Sequence, residues 1–498
     1  MVRKLLVANR GEIAVRVFRA ARELGIRTVA VASVADANAM HALLADEVVE
    51  IGGPEPTTSY LDQSKILGAA AATGADAVHP GYGFLSERSS FARSCREAGL
   101  VFIGPSPEAM DLLGGKIDAK TLAVANQVPV APGYFEPGAT PVDLRQAAQR
   151  IGYPVMLKAS AGGGGRGMRV VRDPAEFDDA LRLASEEALK AFGDGAMMVE
   201  KFVERPRHIE VQVMADHHDN VVCFFERECS IQRRHQKILE EAPSPVMTDD
   251  LWAAMRDAAV RLVKAASYSN AGTVEFMVDA ATGEFFFLEV NARLQVEHPV
   301  TEAVTGVDLV QWQLRVASGE RLALRPELMA GDRSALCGHA IEARIVAEDP
   351  AQGFLPSVGR ILGWAEPRMP GVRFDTGFGA GDEVSPHYDS LVAKLIAHAE
   401  SREAAAKRME QALLDTHVIG PATNIGFLLD VVRHPDFGKA EFDTGWLGRA
   451  LPDWRPSDDV PSAVLHLAAL ARPAREAAVA RKDLRPAWGV GDGFRVTG

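Results

Sequence analysis

The sequence predicts an α/β protein of several units: a doubly wound parallel sheet first, a small glycine-loop module next, and a larger α+β unit last. Three observations carry this. Over roughly the first hundred residues, short apolar runs alternate with amphipathic helical stretches, the rhythm of βαβ units. Around position 160 a run of four glycines interrupts a second, shorter α+β pattern. Beyond about 205, paired stretches alternate apolar and polar residues around polar turns, as antiparallel hairpins do.

In order, residues 4–8 form a short apolar strand. From Gly11, Ile13, Val17, Ala20 and Leu24 recur at helical spacing until Gly25, and 27–32 is the next strand. A helix over 61–72 and strands over 75–78 and 101–103 continue the rhythm. Asn9-Arg10-Gly11-Glu12 follows the first strand where a dinucleotide site would have GxGxxG, and Gly114-Gly115-Lys116 lacks the Ser or Thr of a P-loop. Three prolines and two glycines within 129–139 read as a linker. The small module then has helix 141–151, strand 154–158, glycine loop 161–167, strand 168–171, helix 174–191 and strand 197–200. Strands 209–215 and 221–226 flank a turn at 216–220, followed by helix 248–266, strands 273–278 and 284–290, helix 299–317 and strand 338–346. Past about 450, Pro452, Pro456 and Pro461 precede a short Ala-rich helix at 463–471 in what reads as a poorly anchored extension. The expected domains are 1–114, 115–204, 205–447 and the extension 448–498.

Composition sets the outer bounds. At roughly 150 residues per domain, 498 residues suggest about three domains. With 67 acidic against 54 basic residues, the net charge of −13 argues against a general nucleic-acid or anionic-membrane binder, while leaving room for a local phosphate pocket. Cys95, Cys223, Cys229 and Cys337 form no CxxC pair, which disfavours a disulfide scaffold or zinc knuckle and suits a reducing cytosol. No leader-like apolar stretch follows Met1 and no run reaches membrane-span length, so a cytoplasmic location is expected.

Three clusters carry chemistry. In the loop after Lys158, the glycines leave backbone N–H groups free to close around an anion, and Lys158 adds a cation; a flexible surface hairpin is the plain alternative. Second, polar residues occupy every odd position from Glu289 to Glu297 (Glu289, Asn291, Arg293, Gln295, Glu297), which puts them on one side if the stretch stays extended. A solvated edge strand shows the same alternation, but Phe285-Phe286-Phe287-Leu288 leads in and points to a deep strand. Glu275, Glu289 and Asn291 make an all-oxygen set that suits Mg²⁺ or Mn²⁺ beside a phosphate loop. Third, Cys229 to Lys237 concentrates long polar side chains and a histidine between a strand and a proline-rich turn; a cationic surface patch is the alternative. His208 and Glu210 share a strand face, as do Glu342 and Arg344, and the loop from His79 to Glu87 follows a strand where α/β ligands sit.

These residues resemble the biotin carboxylase family of the ATP-grasp superfamily over about 1–447. The matching runs are Val7-Ala8-Asn9-Arg10-Gly11-Glu12-Ile13-Ala14 and residues 79–87, 158–168, 228–241, 289–299 and 342–356, in that order. The resemblance implies an ATP-grasp fold with an N-terminal α/β domain, a glycine-loop lid and a C-terminal α+β domain. It implies ATP-dependent carboxylation of biotin by bicarbonate through carboxyphosphate, with Mg²⁺ or Mn²⁺, two ions expected, and biotin supplied on a carrier.

By the same resemblance, Lys116 and Lys158 are ATP-phosphate lysines, and Gly162, Gly163, Gly164, Gly165 and Gly167 form the closing phosphate loop. Glu200, Lys201 and Val203 lie on the adenine side, and His208, Gln232 and His235 contact nucleotide. Glu275, Glu289 and Asn291 hold metal; Lys237, Arg293, Gln295, Val296 and Glu297 form the bicarbonate pocket, with Glu297 as general base and Glu210 beside the lysine. Arg344 faces the ureido oxygen of biotin and Tyr82 walls its site. Family chains that carry their own biotin do so on a lysine in a Met-Lys-Met context, which does not occur here, so either the biotin comes from a separate carrier or the sequence is part of a longer polypeptide; a biotin carboxyl carrier protein or domain and a carboxyltransferase subunit are expected partners, and a homodimer is expected. Residues 486–495 resemble the lead-in to the linker domain of acyl-CoA carboxylase α subunits. The alternatives are another ATP-grasp carboxylate ligase, which would lack the bicarbonate and biotin set, and a non-catalytic assembly subunit.

Overall fold

The computed structural model describes residues 1–160, 167–280 and 282–456. The first unit is a five-stranded parallel sheet running Glu47–Glu50, Arg27–Ala32, Lys4–Val7, Ala77–His79 and Val101–Phe102 in space. Leu5, Leu6, Val7 and Ala8 are fully buried, as expected of a central strand with helices on both faces. The strand order reverses on either side of Lys4–Val7, and the loops leaving the carboxyl ends of Lys4–Val7 and Ala77–His79 open there. Asn9 Nδ2 ties them by donating to the carbonyls of Pro80 (2.8 Å) and Tyr82 (2.7 Å).

The small module is a four-stranded antiparallel sheet ordered Gly133–Tyr134, Met197–Lys201, Val155–Ala159, Met168–Val171. Helices Pro141–Ile151 and Phe177–Phe192 cover it, and Leu144, Ala148, Leu157, Ala184 and Val199 form its own core. A Thr140–Asp143 capping box starts the first helix. The stretch expected to be a linker is built in: Gly133–Tyr134 adds an edge strand, and Val130 bridges to Phe287. Backbone pairing outweighed the proline and glycine content there.

One eight-stranded antiparallel sheet organises the rest: Phe285–Asn291, Asn270–Asp279, Pro206–Ala215, Val221–Arg233, Gln236–Ala242, His339–Val346, Leu391–Ala399, Val372–Thr376. Three expectations are corrected. The strand starting at Val221 runs on to Arg233, so Cys229 to Lys237 lies within a hairpin whose turn residues Arg234 and His235 have φ of 50° and 64°. The helix expected over 299–317 is two, His298–Thr305 and Leu309–Ala317. Gly306 at φ 70° ends the first, and the Asp308 carboxylate caps the second by accepting from Gln311 N–H. The strand from Phe285 ends at Asn291, and 292–297 turns into the helix at His298 instead of staying extended. Pro299 at the first helical turn fits that start.

The extension is anchored where it begins. Trp454 packs edge-on against Phe427, ring centres 5.2 Å apart, and its indole N–H donates to Asp430 Oδ2 at 2.8 Å. The helix expected at 463–471 lies outside the described residues. No helix among the described residues is long and apolar enough to cross a membrane.

The first unit meets the large sheet closely. A β-carbon at Gly377 would lie 2.5 Å from the Gly11 carbonyl carbon and 2.7 Å from Glu12 N, backbone atoms at the start of helix Gly11–Glu23. Gly377→Ala is therefore expected to cost about 1–3 kcal/mol through overpacking. A lowered denaturant midpoint checks this; an unchanged midpoint would show that the junction yields.

Candidate functional site

A cleft of about 790 Å³ lies where the three units meet. Asn9 and Tyr82 reach it from the parallel sheet, Lys158 and Met168 from the small module, and His208, Lys237, Glu275 and Arg344 from the large sheet.

Strand register builds its floor. Glu210 pairs with Glu275 across two strands, and Glu275 pairs with Glu289 across the next. Three carboxylates thus form a row, and direct cross-strand partners share a face. Unpaired, they would repel. Lys237, on the neighbouring hairpin, puts its Nζ 2.6 Å from Glu210 Oε2, 3.1 Å from Glu275 Oε1 and 2.6 Å from Glu297 Oε1. The fully buried Arg227 takes the other oxygen of Glu210 at 2.6 Å and reaches Gln212 Oε1 at 2.7 Å. Glu297 passes its second oxygen to Arg344 Nη2 at 2.9 Å, and Arg344 Nε donates to Glu240 Oε1 at 2.6 Å.

These partners decide the charge states. Burial disfavours the Lys237 cation, but Glu210, Glu275 and Glu297 outweigh it and raise its pKa well above the ordinary value. Burial likewise opposes ionisation of Glu297, and Lys237 and Arg344 hold its carboxyl well below the usual range. Glu275 is lowered in the same way by Lys237 and His208 against burial. Glu210 moves up, through burial and the nearby Glu297 charge. Glu297 is therefore an ionised carboxylate clasped between two cations.

The remaining residues of the bicarbonate set converge although the segment is not extended. Arg293 donates to Gln295 Oε1 at 3.1 Å and Asn291 Oδ1 at 3.2 Å, and lies 3.1 Å from Glu87. Gln295 donates to Glu275 Oε1 at 3.3 Å. Val296 lines the cleft, and its carbonyl accepts from Lys394 Nζ at 2.9 Å. Tyr82 also lines it, with Lys394 Nζ 5.9 Å from the ring centre.

At the other end, Lys116 lies 3.1 Å from Glu289. Lys158 and Lys120 both hold Glu200, at 2.7 and 2.5 Å. Glu200 is 1% exposed, so it stands behind the cleft as an anchor for two ammonium groups that face in. His208, Gln232 and His235 line the cleft; His208 Nε2 is 3.0 Å from Glu275. Lys201 and Val203 do not line it: the Lys201 ammonium donates to the carbonyls of Gly152 (2.9 Å) and Tyr153 (3.3 Å). Gly162, Gly163, Gly164 and Gly165 lie outside the described residues; Gly167 sits at φ 69°.

The carboxylates of Glu275 and Glu289 and the amide oxygen of Asn291 offer hard donors on adjacent strands, with Asn291 Nδ2 donating to Glu275 at 2.8 Å. This set fits a divalent cation that prefers oxygen, such as Mg²⁺. His208, Glu210 and Glu275 also converge, but an imidazole is a poorer donor for such an ion.

Sequence reasoning missed Lys120, Arg227, Glu240 and Lys394. Lys120 had a usable signal, since it falls one turn after Lys116 on helix Lys116–Ala125 and shares its face. Glu240 and Lys394 depend on strand pairings between segments far apart in sequence, and Arg227 on the register of the hairpin that it shares with Glu210.

Family comparisons accord with this geometry. Residues 1–110 match the model described as biotin carboxylase, N-terminal domain, 115–325 the carbamoyl-phosphate synthase L chain, ATP binding domain, and 342–449 the biotin carboxylase C-terminal domain. A biotin carboxylase of Nostoc is 49% identical over 444 residues, 89% of this chain and 98% of that protein. This chain belongs to the biotin carboxylase family. Methylcrotonoyl-CoA carboxylase subunit alpha of mouse is 47% identical over 92% of this chain, which spans 63% of that relative's length. Among solved structures, the biotin carboxylase domain dimer of Hydrogenobacter thermophilus 2-oxoglutarate carboxylase, with MgADP, ADP and bicarbonate, superposes with a TM-score of 0.86 at 44% identity, covering 90% of this chain and 98% of that one. Campylobacter jejuni biotin carboxylase gives 0.86 at 41% identity, covering 90% and 99%.

The Glu200 anchor makes a specific prediction. Lys120→Ala leaves Glu200 with Lys158 alone in a buried site and should cost about 3 kcal/mol in denaturant unfolding. Burial opposes ionisation of Glu200, but Lys158 and Lys120 lower its pKa from 4.5 to about 2. A depressed carboxylate stabilises the fold fully above its unfolded pKa and loses that contribution as pH falls through the folded one. The unmutated chain should thus lose stability from about pH 4.5 down to about 2, and Lys120→Ala should begin to lose it at higher pH. Superimposable acid titrations would remove this role from Lys120.

Proposed function

We propose that this chain carboxylates biotin with bicarbonate at the expense of ATP, as the first half-reaction of an acyl-CoA carboxylase. The observation that carries the reading is Glu297, ionised and held between Lys237 at 2.6 Å and Arg344 at 2.9 Å, in a cleft that Lys116, Lys158 and Tyr82 also line.

The geometry supports the following roles. Glu297 accepts the proton of bicarbonate, which makes it a better nucleophile. Bicarbonate oxygen attacks the γ-phosphorus of ATP; the new P–O bond gives carboxyphosphate, and the bond to ADP breaks. Lys116, Lys120 and Lys158 orient the phosphates, and Lys237 offsets charge on the transferring group. Glu275, Glu289 and Asn291 would hold the metal, which would supply charge neutralisation on the phosphates. Arg293, steadied by Glu87 and Gln295, holds the carboxyphosphate. Carboxyphosphate splits to CO₂ and phosphate, phosphate removes the N1 proton of biotin, and the nitrogen attacks CO₂. Arg344 stabilises negative charge on the ureido oxygen. Closure of the glycine-loop module excludes water from an intermediate that would otherwise hydrolyse.

We assign biotin to a separate carrier protein or domain and the acyl acceptor to a carboxyltransferase, in line with the methylcrotonoyl-CoA carboxylase relatives. The dimer named for the Hydrogenobacter domain supports a homodimer here. The four unpaired cysteines suit the reducing cytoplasm.

ATP hydrolysis by the purified chain with Mg²⁺ should rise with bicarbonate and free biotin, and label from bicarbonate should appear on biotin. Turnover indifferent to both would overturn the reading in favour of another ATP-grasp ligase. Arg344→Ala should lower biotin carboxylation about 100-fold while bicarbonate-dependent ATP hydrolysis largely stands. Equal loss of both would remove Arg344 from the biotin end.

A further inference from the structure

Behind Arg344 stands a pair of carboxylates that the steps above leave unused. Glu240 and Glu342 are direct cross-strand partners on Gln236–Ala242 and His339–Val346, and neither is exposed. Such partners share a face with β-carbons about 5 Å apart. Glu240 gives Oε1 to Arg344, and its Oε2 has no hydrogen-bond partner among the described residues. Both oxygens of Glu342 are also without one.

Two ionised carboxylates this close need matching cations, and those nearby are already engaged elsewhere. The charged and titratable groups around Glu342 are Glu240 on one neighbouring strand, Arg344 on its own, Lys394 on the other, and Glu297 and His298 at the start of the helix packed against the sheet. Arg344 is already divided between Glu240 and Glu297. Lys394 lies 3.3 Å from Glu12 and donates to Val296 O. His298 is held neutral, by burial first and then by Lys394, Arg16 and Arg373. Burial and the nearby Glu240 charge push Glu342 well above the ordinary range, while burial and Glu297 bring Glu240 up to about 7. Protonation of Glu342 removes one of the two like charges and brings an O–H to a pair in which Glu240 Oε2 has no donor among the described residues.

We propose that Glu342 is kept as a neutral carboxylic acid that donates to Glu240, and that this dyad is the positioning element that holds Arg344 against Glu297. The inference rests on the reading of Arg344 as the biotin-side cation and deepens it. The dyad keeps a single negative charge behind the guanidinium. Loss of the shared proton would add a second and draw the guanidinium back from Glu297 and from biotin.

Glu342→Gln is the deciding variant, because a neutral amide is isosteric with the neutral acid and donates the same bond. In the full chain at neutral pH, the infrared difference against the unmutated protein should show loss of one protonated-carboxyl band, and the melting temperature should stay within about 2 °C. An infrared difference showing only carboxylate bands would overturn the proposal. So would a variant that melts far lower or fails to fold, since that is the behaviour of an ionised Glu342 paired with Lys394. Glu240→Gln should raise KM for free biotin about tenfold, a loss on the scale of one charge-assisted hydrogen bond, and leave KM for ATP in place; a parallel rise in both would mark a merely structural role. Infrared and melting results decide the proton on Glu342 whether or not biotin turns over. Failure of the biotin reading would show separately, as absent bicarbonate- and biotin-dependent turnover in the unmutated chain.

Discussion

The Lys237 ammonium, buried among Glu210, Glu275 and Glu297, is the interaction on which the rest of the site depends. Three carboxylates gathered in a place closed to water are tolerable only around a cation. Each of them is then used a second time: Glu210 on Arg227, Glu275 on His208, Glu297 on Arg344. The result is a lattice of alternating charge in which no group moves alone. It explains how one carboxylate, Glu297, stays ionised at zero exposure.

The lattice is rigid because strands hold it. Pro206–Ala215, Asn270–Asp279 and Phe285–Asn291 are adjacent, so Glu210, Glu275 and Glu289 form one rung of a ladder. A slip of one residue in either pairing would turn a carboxylate to the opposite face. The neighbouring units add what the sheet lacks. The parallel sheet contributes the loop with Tyr82 at its switch point, and the small module contributes Lys158 on a strand with its own core. A site divided in this way draws its charged groups from three units with separate strand pairings.

Much of this was legible in the chain because it rests on local pattern. The strand at Arg27–Ala32 and the helix at Pro141–Ile151 have the bounds that apolar spacing and turn residues indicate. The helix expected over 299–317 went astray because Gly306 and Asp308 end one helix and cap another within a span whose apolar period hardly changes. The alternation from Glu289 to Glu297 identified the right residues through a geometry that does not occur: Arg293, Gln295 and Glu297 reach the cleft from a turn and a helix start. Lys201 shows the converse, an expected site residue whose ammonium is spent on two backbone carbonyls outside the cleft.

The sequence by itself determined the types of group and the family: a glycine loop beside a lysine, oxygen donors at alternate positions, and ordered runs that mark biotin carboxylases. These are matters of composition and spacing within a few residues. The tertiary structure alone decided which charges pair. Lys120 meets Glu200, Arg227 meets Glu210, Arg344 meets Glu240, and Lys394 meets Glu12 across separations of tens to hundreds of residues. Charge pairing is set by distance and burial, which exist only once the strands are in register, and the ionisation of Glu297 is set there too.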